Sequence, residues 1–343
     1  MQLSKYERMK IANQPQAYQG AYPEVTYTLT EAIPDEVTEV EILGPDTSAV
    51  TGTKRMSGSS QYEVNIAGYV QRQLNIWPAT ETVCGIYPAP GRMATARIRV
   101  GSLTSQAVPV SGGTVRAETE HALTDKPDGG TLGRRDIEEV AFVAPGQSVT
   151  ARITLGGSST HQIALPSITC DDGMYVVLIA MQDIENRLAE AGKGPVTAYR
   201  TLTLGITAGS LGPLNRRYRI VDRSGNSTRL AWVNRYGAID AFTFEHIGTE
   251  LITAKKQRVC TRNGYEVLGS EAETETALHV AAGCAAQMRW LGGLIASPAV
   301  WRLETNGWEA VDVITDTLAV REEPLQGCEI RIRPRRRTLM QNR

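Results

Sequence analysis

Asp222, Asp240 and Glu245 fall within one short stretch of the chain, and their type and spacing come closest to a reaction. Glycoside hydrolysis needs two carboxyls about 5 to 10 Å apart, one protonated and one ionised. Spacing along the chain does not show which two face each other, so a glycan hydrolase is the third reading. In "DRSGNST" Asp222, Ser224 and Asn226 alternate as oxygen donors do in a calcium loop, but the bidentate Glu that closes such a loop is missing. A hairpin turn accounts for them better. "TCDDGM", with Cys170, Asp171 and Asp172 before a glycine, likewise reads as a tight turn. His121, His161, His246 and His279 lack the i,i+4 spacing of a metal pair, and the five cysteines (Cys84, Cys170, Cys260, Cys284, Cys328) form no CxxC, so reduced thiols are expected. No GxSxG elbow, HExxH, phosphate-binding lysine loop or GxGxxG occurs. The expectation is a chain with no catalytic residues, no cofactor and no metal.

Two clusters point to contacts instead of chemistry. "EIRIRPRRRTLMQNR" carries Arg331, Arg333, Arg335, Arg336 and Arg337. Alternation in "EIRIRP" places the first arginines on one strand face, and guanidinium groups pair well with carboxylates, so these five form a candidate subunit interface. No aromatics interleave with them, which favours a protein partner over nucleic acid. In "LAWVNRYGAIDAFTF", Trp232, Tyr236, Gly237, Phe242 and Phe244 form a candidate core corner. Leu230, Trp232 and Ile239 supply core, Tyr236-Gly237 a bend, and Phe242 and Phe244 one face of the next strand. Trp301, Trp308 and Tyr265 would be able to stack on a sugar if exposed.

These clusters must be held by strands. "EVTYTLT", "VTEVEILG", "QYEVNIAGYV" and "ATARIRVG" are short and rich in β-branched and aromatic residues, with Pro, Gly and Ser between them. They predict an N-terminal β-sandwich over 1–112. The polar, glycine-rich stretch 113–136 reads as a linker or extended loop. A middle β domain over 137–212 follows, with one helix in "QDIENRLAEAGKG". A C-terminal β-rich domain over 213–343 contains one helix, "CAAQMRWLGGLIASP", and a basic tail. In it Ser-Gly-Asn and Asn306-Gly307 signal hairpins. The fold class is mainly β: tandem antiparallel β-sandwich-like domains with two short helices. The 343 residues are 41% hydrophobic with a formal net charge of -1, so no global field draws nucleic acid or an anionic membrane. No stretch approaches a membrane span, and the first residues lack the apolar core of an export signal.

"RYRIVDRSGNSTRLAWVNRYGAIDAFTF", then "QMRWLGGLIASPAVWRL" and "AVDVITD", resembles a pattern of tail proteins from phages and prophages of Bacteroidetes: a strand, WxNxxGxxDxxTF, a WLxxLxxSPxV helix and a hairpin. "QPQAYQGAYPEVTYTL" is similar to the opening of such proteins. The likeness covers the last third and, loosely, the first 30 residues. It implies a non-enzymatic virion subunit, a distal tail or baseplate ring protein first of all, that folds in the host cytoplasm. Its partners would be copies of itself in a ring and other tail proteins. The alternative is a carbohydrate- or receptor-binding tail protein that meets host surface glycan.

Overall fold

A computed structural model describes residues 8–45, 49–117, 121–144, 146, 148–208, 211–222, 227–282, 284–322, 326–335 and 338–342. The chain is mainly β, with 53% of its residues in strands and 11% helical, and its sheets, antiparallel but for one short edge strand, are sandwich-like in tandem.

In the N-terminal unit, strand Thr26–Thr30 lies between Lys10–Asn13 and Gln61–Asn65, facing a four-stranded sheet that includes Thr38–Leu43 and Ile98–Val100. Burial alternates residue by residue along these strands, so Tyr27, Leu29, Ile42, Val64 and Ile98 meet in one core. The expected strand "QYEVNIAGYV" ends early. Asn65 Oδ1 accepts from the N–H of Val25 (3.2 Å) and of Ala67 (2.9 Å), and the chain turns there into a short helix, α1 (Ala67–Gln71). There are therefore three helices among the described residues, not two.

The middle unit opposes two sheets. Strand Gly173–Ala180 and the Val140–Ala144 part of strand Ile137–Ala144 are near-continuous apolar runs because both their faces are covered. One face packs on the larger sheet through Phe142, Val177 and Ile179; the other meets Tyr18, Leu123 and Ala238. Helix α2 (Met181–Glu190) ends in paired bonds, Gly192 N–H to the Ala189 carbonyl (3.0 Å) and Lys193 N–H to the Leu188 carbonyl (2.8 Å). Gly192 supplies the left-handed φ of +63° that this closure requires.

The larger middle sheet extends through Leu211–Ile220, which pairs with Tyr199–Ala208. Its other edge takes Gly130–Leu132 in parallel, so part of the polar 113–136 stretch is a strand. The hairpin expected around Ser224-Gly225-Asn226 is therefore not formed. Its flanking strands, Leu211–Ile220 and Thr228–Val233, belong to different sheets, and residues 223–226 lie outside the described residues.

The C-terminal sheet has eight strands, with Thr228–Val233, Ile239–Phe244, Val300–Glu304, Gly307–Val313 and Gln326–Pro334 packed under helix α3 (Ala285–Ala296). The Asn306-Gly307 signal holds: Glu304 pairs with Gly307 across a two-residue turn. From one side of this sheet projects an arm, the hairpin of His246–Thr261 and Gly264–Ala282, whose strands are 16 and 19 residues long.

Candidate functional site

The motif residues of the last third converge on one place where all the units meet. Asn234 organises the turn. Its Oδ1 accepts from the N–H of Tyr236 (3.0 Å) and Ala238 (3.2 Å), while its side-chain amide donates to the Leu123 carbonyl (2.8 Å). Gly237 has φ of +78°, and a Cβ there would stand 2.6 Å from backbone atoms of Gly112 and Gly113. The Tyr236-Gly237 bend thus exists so that another chain segment can cross it. Thr114 N–H seals the crossing on the Arg235 carbonyl (2.7 Å).

Beside this turn lies a buried ion cluster. Arg229 Nη2 meets Glu138 at 2.5 Å, its Nη1 meets Asp136 at 3.2 Å, and its Nε donates to the Ile137 carbonyl at 2.9 Å. Lys126 Nζ pairs with the other Glu138 oxygen, donates to the Ala241 carbonyl, and sits 5.3 Å from the centre of the Trp290 ring. Thr243 links Arg229 to Asp136. Asp240 accepts from Thr124 Oγ1 (2.5 Å) and from Trp290 Nε1 (2.6 Å). Burial pushes Lys126 below its usual range, with Arg229 adding to the effect and Glu138 opposing it. Burial raises Asp240 despite its hydrogen bonds, and burial and then Glu138 hold Tyr218 well above its ordinary value.

This arrangement ties the 121–136 segment, strand Ile137–Ala144, the sheet pair Thr228–Val233 and Ile239–Phe244, and α3 into one body. Its charged groups are covered by protein, so their chemistry is mutual neutralisation. A second buried pair, Arg92 with Glu139 at 2.5 Å, fastens the segment after α1 to the same strand. Trp77 then packs edge-on against Trp301 with centroids 5.3 Å apart, and Trp308 Nε1 donates to the Ala79 carbonyl.

The other sequence candidates scatter. Of the three carboxylates, Asp240 is buried while Asp222 and Glu245 are exposed. Asp172 receives the Tyr18 hydroxyl and Asp171 N–H donates to Tyr175, so "TCDDGM" anchors the N-terminal segment. Of the core-corner residues, Gly237 is buried and Tyr236 and Phe242 are half-buried. Trp232 and Phe244 are fully buried, Trp232 packs on Trp290, and Phe242 meets Phe244 edge-on at 5.1 Å.

Among the proposed interface arginines, Arg331 pairs with Glu329 at 2.6 Å, Arg333 with Asp312 at 2.8 Å, and Arg335 reaches the Pro298 carbonyl. Arg336 and Arg337 lie outside the described residues, as do Ser224 and Asn226. Trp301 is buried, Trp308 half-buried, and Tyr265 near the arm tip is 79% exposed. All five cysteines are free thiols; burial raises Cys84 to about 12 and Cys170 to about 11. Among the described residues no group of three or more His, Cys, Asp or Glu is placed to hold a metal ion, and no helix is long and apolar enough to cross a membrane.

Sequence reasoning missed both the ion cluster, whose members are up to 116 residues apart, and the arm. No protein-family model matches the chain, and no curated protein matches it.

Proposed function

We propose that this chain is a non-enzymatic structural subunit of a bacteriophage tail or tail-tip/baseplate complex, assembling with copies of itself and with other tail proteins in the virion. The observation that supports it best is the arm. From Leu251 to Cys260 every residue is exposed, and the outer edge of strand His246–Thr261 has no ladder partner among the described residues. Beyond its pairing with Thr338–Asn342 the arm is a two-stranded ribbon, which is marginal in water by itself, so it suits a contact with another chain. The sealed ion cluster fits the same reading, since the groups with perturbed titration lock sheets together. Residues of the stretches that resemble Bacteroidetes phage tail proteins, Arg229, Asp240, Thr243 and Trp290, supply one side of this lock.

Tyr265 favours a second reading, recognition of a host surface glycan, because an exposed aromatic ring near an arm tip presents a face to a sugar. Mass photometry of the purified protein, with mass spectrometry of purified particles, tests the first. A closed ring of identical subunits and presence in the particle are expected. A strict monomer absent from particles would overturn it. Glycan binding abolished by Tyr265→Ala would favour the second.

A further inference from the structure

The open edge of the arm carries a pattern complementary to itself. Six of the twelve large apolar side chains exposed among the described residues, Leu251, Ile252, Val259, Tyr265, Val267 and Leu268, sit on this one hairpin. An unpaired edge of this length is a template for another strand. The ladder to Gly264–Ala282 is irregular between Ile247 and Thr249 and again between Gln257 and Arg258. Between those irregularities runs a regular stretch, Thr249–Gln257, whose middle residue is Thr253.

Along it Glu250, Ile252, Ala254 and Lys256 share one face. Their partners across the hairpin are Thr276, Thr274, Ala272 and Ser270, so neither Glu250 nor Lys256 meets an opposite charge there. Lys255, on the other face, does meet Glu271. An antiparallel copy centred on Thr253 would place Glu250 opposite Lys256 and Ile252 opposite Ala254, each twice. Moving the centre to Lys255 would set lysine against lysine, which cross-strand pairing disfavours.

We infer that the arm joins two copies of this chain edge to edge, antiparallel, about a two-fold axis at Thr253. An isologous contact closes a pair, so in a ring of identical subunits the arms would link one ring to another. The inference rests on the reading of the chain as a self-assembling subunit, not on where in a particle it sits.

Two measurements test it. In a Cys260→Ser/Cys284→Ser/Cys328→Ser background, Thr253→Cys should form a covalent dimer on mild oxidation, since directly opposed residues lie within disulfide reach. Thr249→Cys should not, because the two copies of that position would be roughly 27 Å apart along the strands. By sedimentation equilibrium, Glu250→Lys and Lys256→Glu should each weaken dimerisation about tenfold or more, and the double reversal should restore it. Cross-linking at 249 as readily as at 253, single reversals without effect, failure of the double reversal to restore, or a monomeric wild type would each overturn the inference. Rings that persist through the single reversals would sink the arm contact and leave the structural-subunit reading standing. Arm-dependent dimers absent from any particle would do the opposite.

Discussion

Asp240 is the residue at which a catalytic and a structural reading diverge most. As one of three neighbouring carboxylates it could serve acid-base chemistry; in the fold it receives Thr124 and Trp290 and is covered. Its titration then becomes a statement about stability. Burial raises it above the ordinary 3.8, so the folded chain holds this proton to higher pH than the unfolded chain does. Its contribution to stability is fully present below the ordinary value and declines as pH rises through the raised one. The stability difference between wild type and Asp240→Asn should therefore shrink from about pH 4 to pH 7 in urea unfolding, because the amide has no proton to lose. A difference that grows with pH would mean that Lys126 holds the anion more firmly than burial opposes it. Arg229 gives the larger effect: Arg229→Met takes the guanidinium from buried Asp136 and leaves Glu138 to Lys126 alone, and a loss of about 3 to 5 kcal/mol is expected in the same experiment. None of this was legible from spacing, since Arg229 meets Glu138 from 91 residues away. The motif WxNxxGxxDxxTF did mark the place. What it could not reveal was that Asn234, Asp240 and Thr243 answer to the distant 121–136 segment and Gly237 to Gly112 and Gly113.

Elements were legible wherever one or both faces are buried, because burial imposes the period. Alternation placed Thr26–Thr30 and Thr38–Leu43. Both longer helices were readable from a closing glycine in one case and a Ser-Pro stop in the other. Partners were harder to read. Leu211–Ile220 and Thr228–Val233 look like two arms of a hairpin, yet each finds its ladder in a separate sheet. The long hairpin escaped notice because strand His246–Thr261 is exposed from Leu251 to Cys260, so its sequence there is free to be charged on both faces. That independence predicts that it is dispensable for folding. Replacing residues 252–274 by a two-residue Asn-Gly turn between Leu251 and Glu275 keeps buried Thr276, Ala277 and Leu278 in place. The melting temperature should move by only a few degrees, while self-association is lost. A collapse of the calorimetric transition would show that the arm belongs to the folding core.

At the scale of the whole molecule, the units are interlocked and do not hang as separate beads. Gly85–Pro88 joins the middle sheet, Trp77 lies on Trp301, and the 121–136 segment runs between the middle and C-terminal sheets. Rigid interlocking leaves assembly to whatever projects from the body. Cys84 and Cys170 are buried, with burial holding both well above their ordinary range, so alkylation at neutral pH should label the exposed Cys260 and Cys284 first. The basic C-terminal end separates the alternatives more sharply. Arg331 and Arg333 are already engaged by Glu329 and Asp312, which moves any contact with a neighbouring subunit toward residues from 335 onward. Strand Thr338–Asn342 pairs with the arm at Gly269–Ala272, so this end runs along the middle of the projecting element. Removing residues 335–343 should therefore leave the melting temperature nearly unchanged and weaken assembly. Assembly of the intact protein should itself fall with added salt, because exposed charge pairs are screened over about 8 to 10 Å at ordinary ionic strength. A nucleic-acid role predicts instead that the isolated protein binds DNA with a steep salt dependence lost on truncation. Truncated protein that assembles at the wild-type yield in light scattering would remove this end from the interface and leave the arm edge as the contact to pursue.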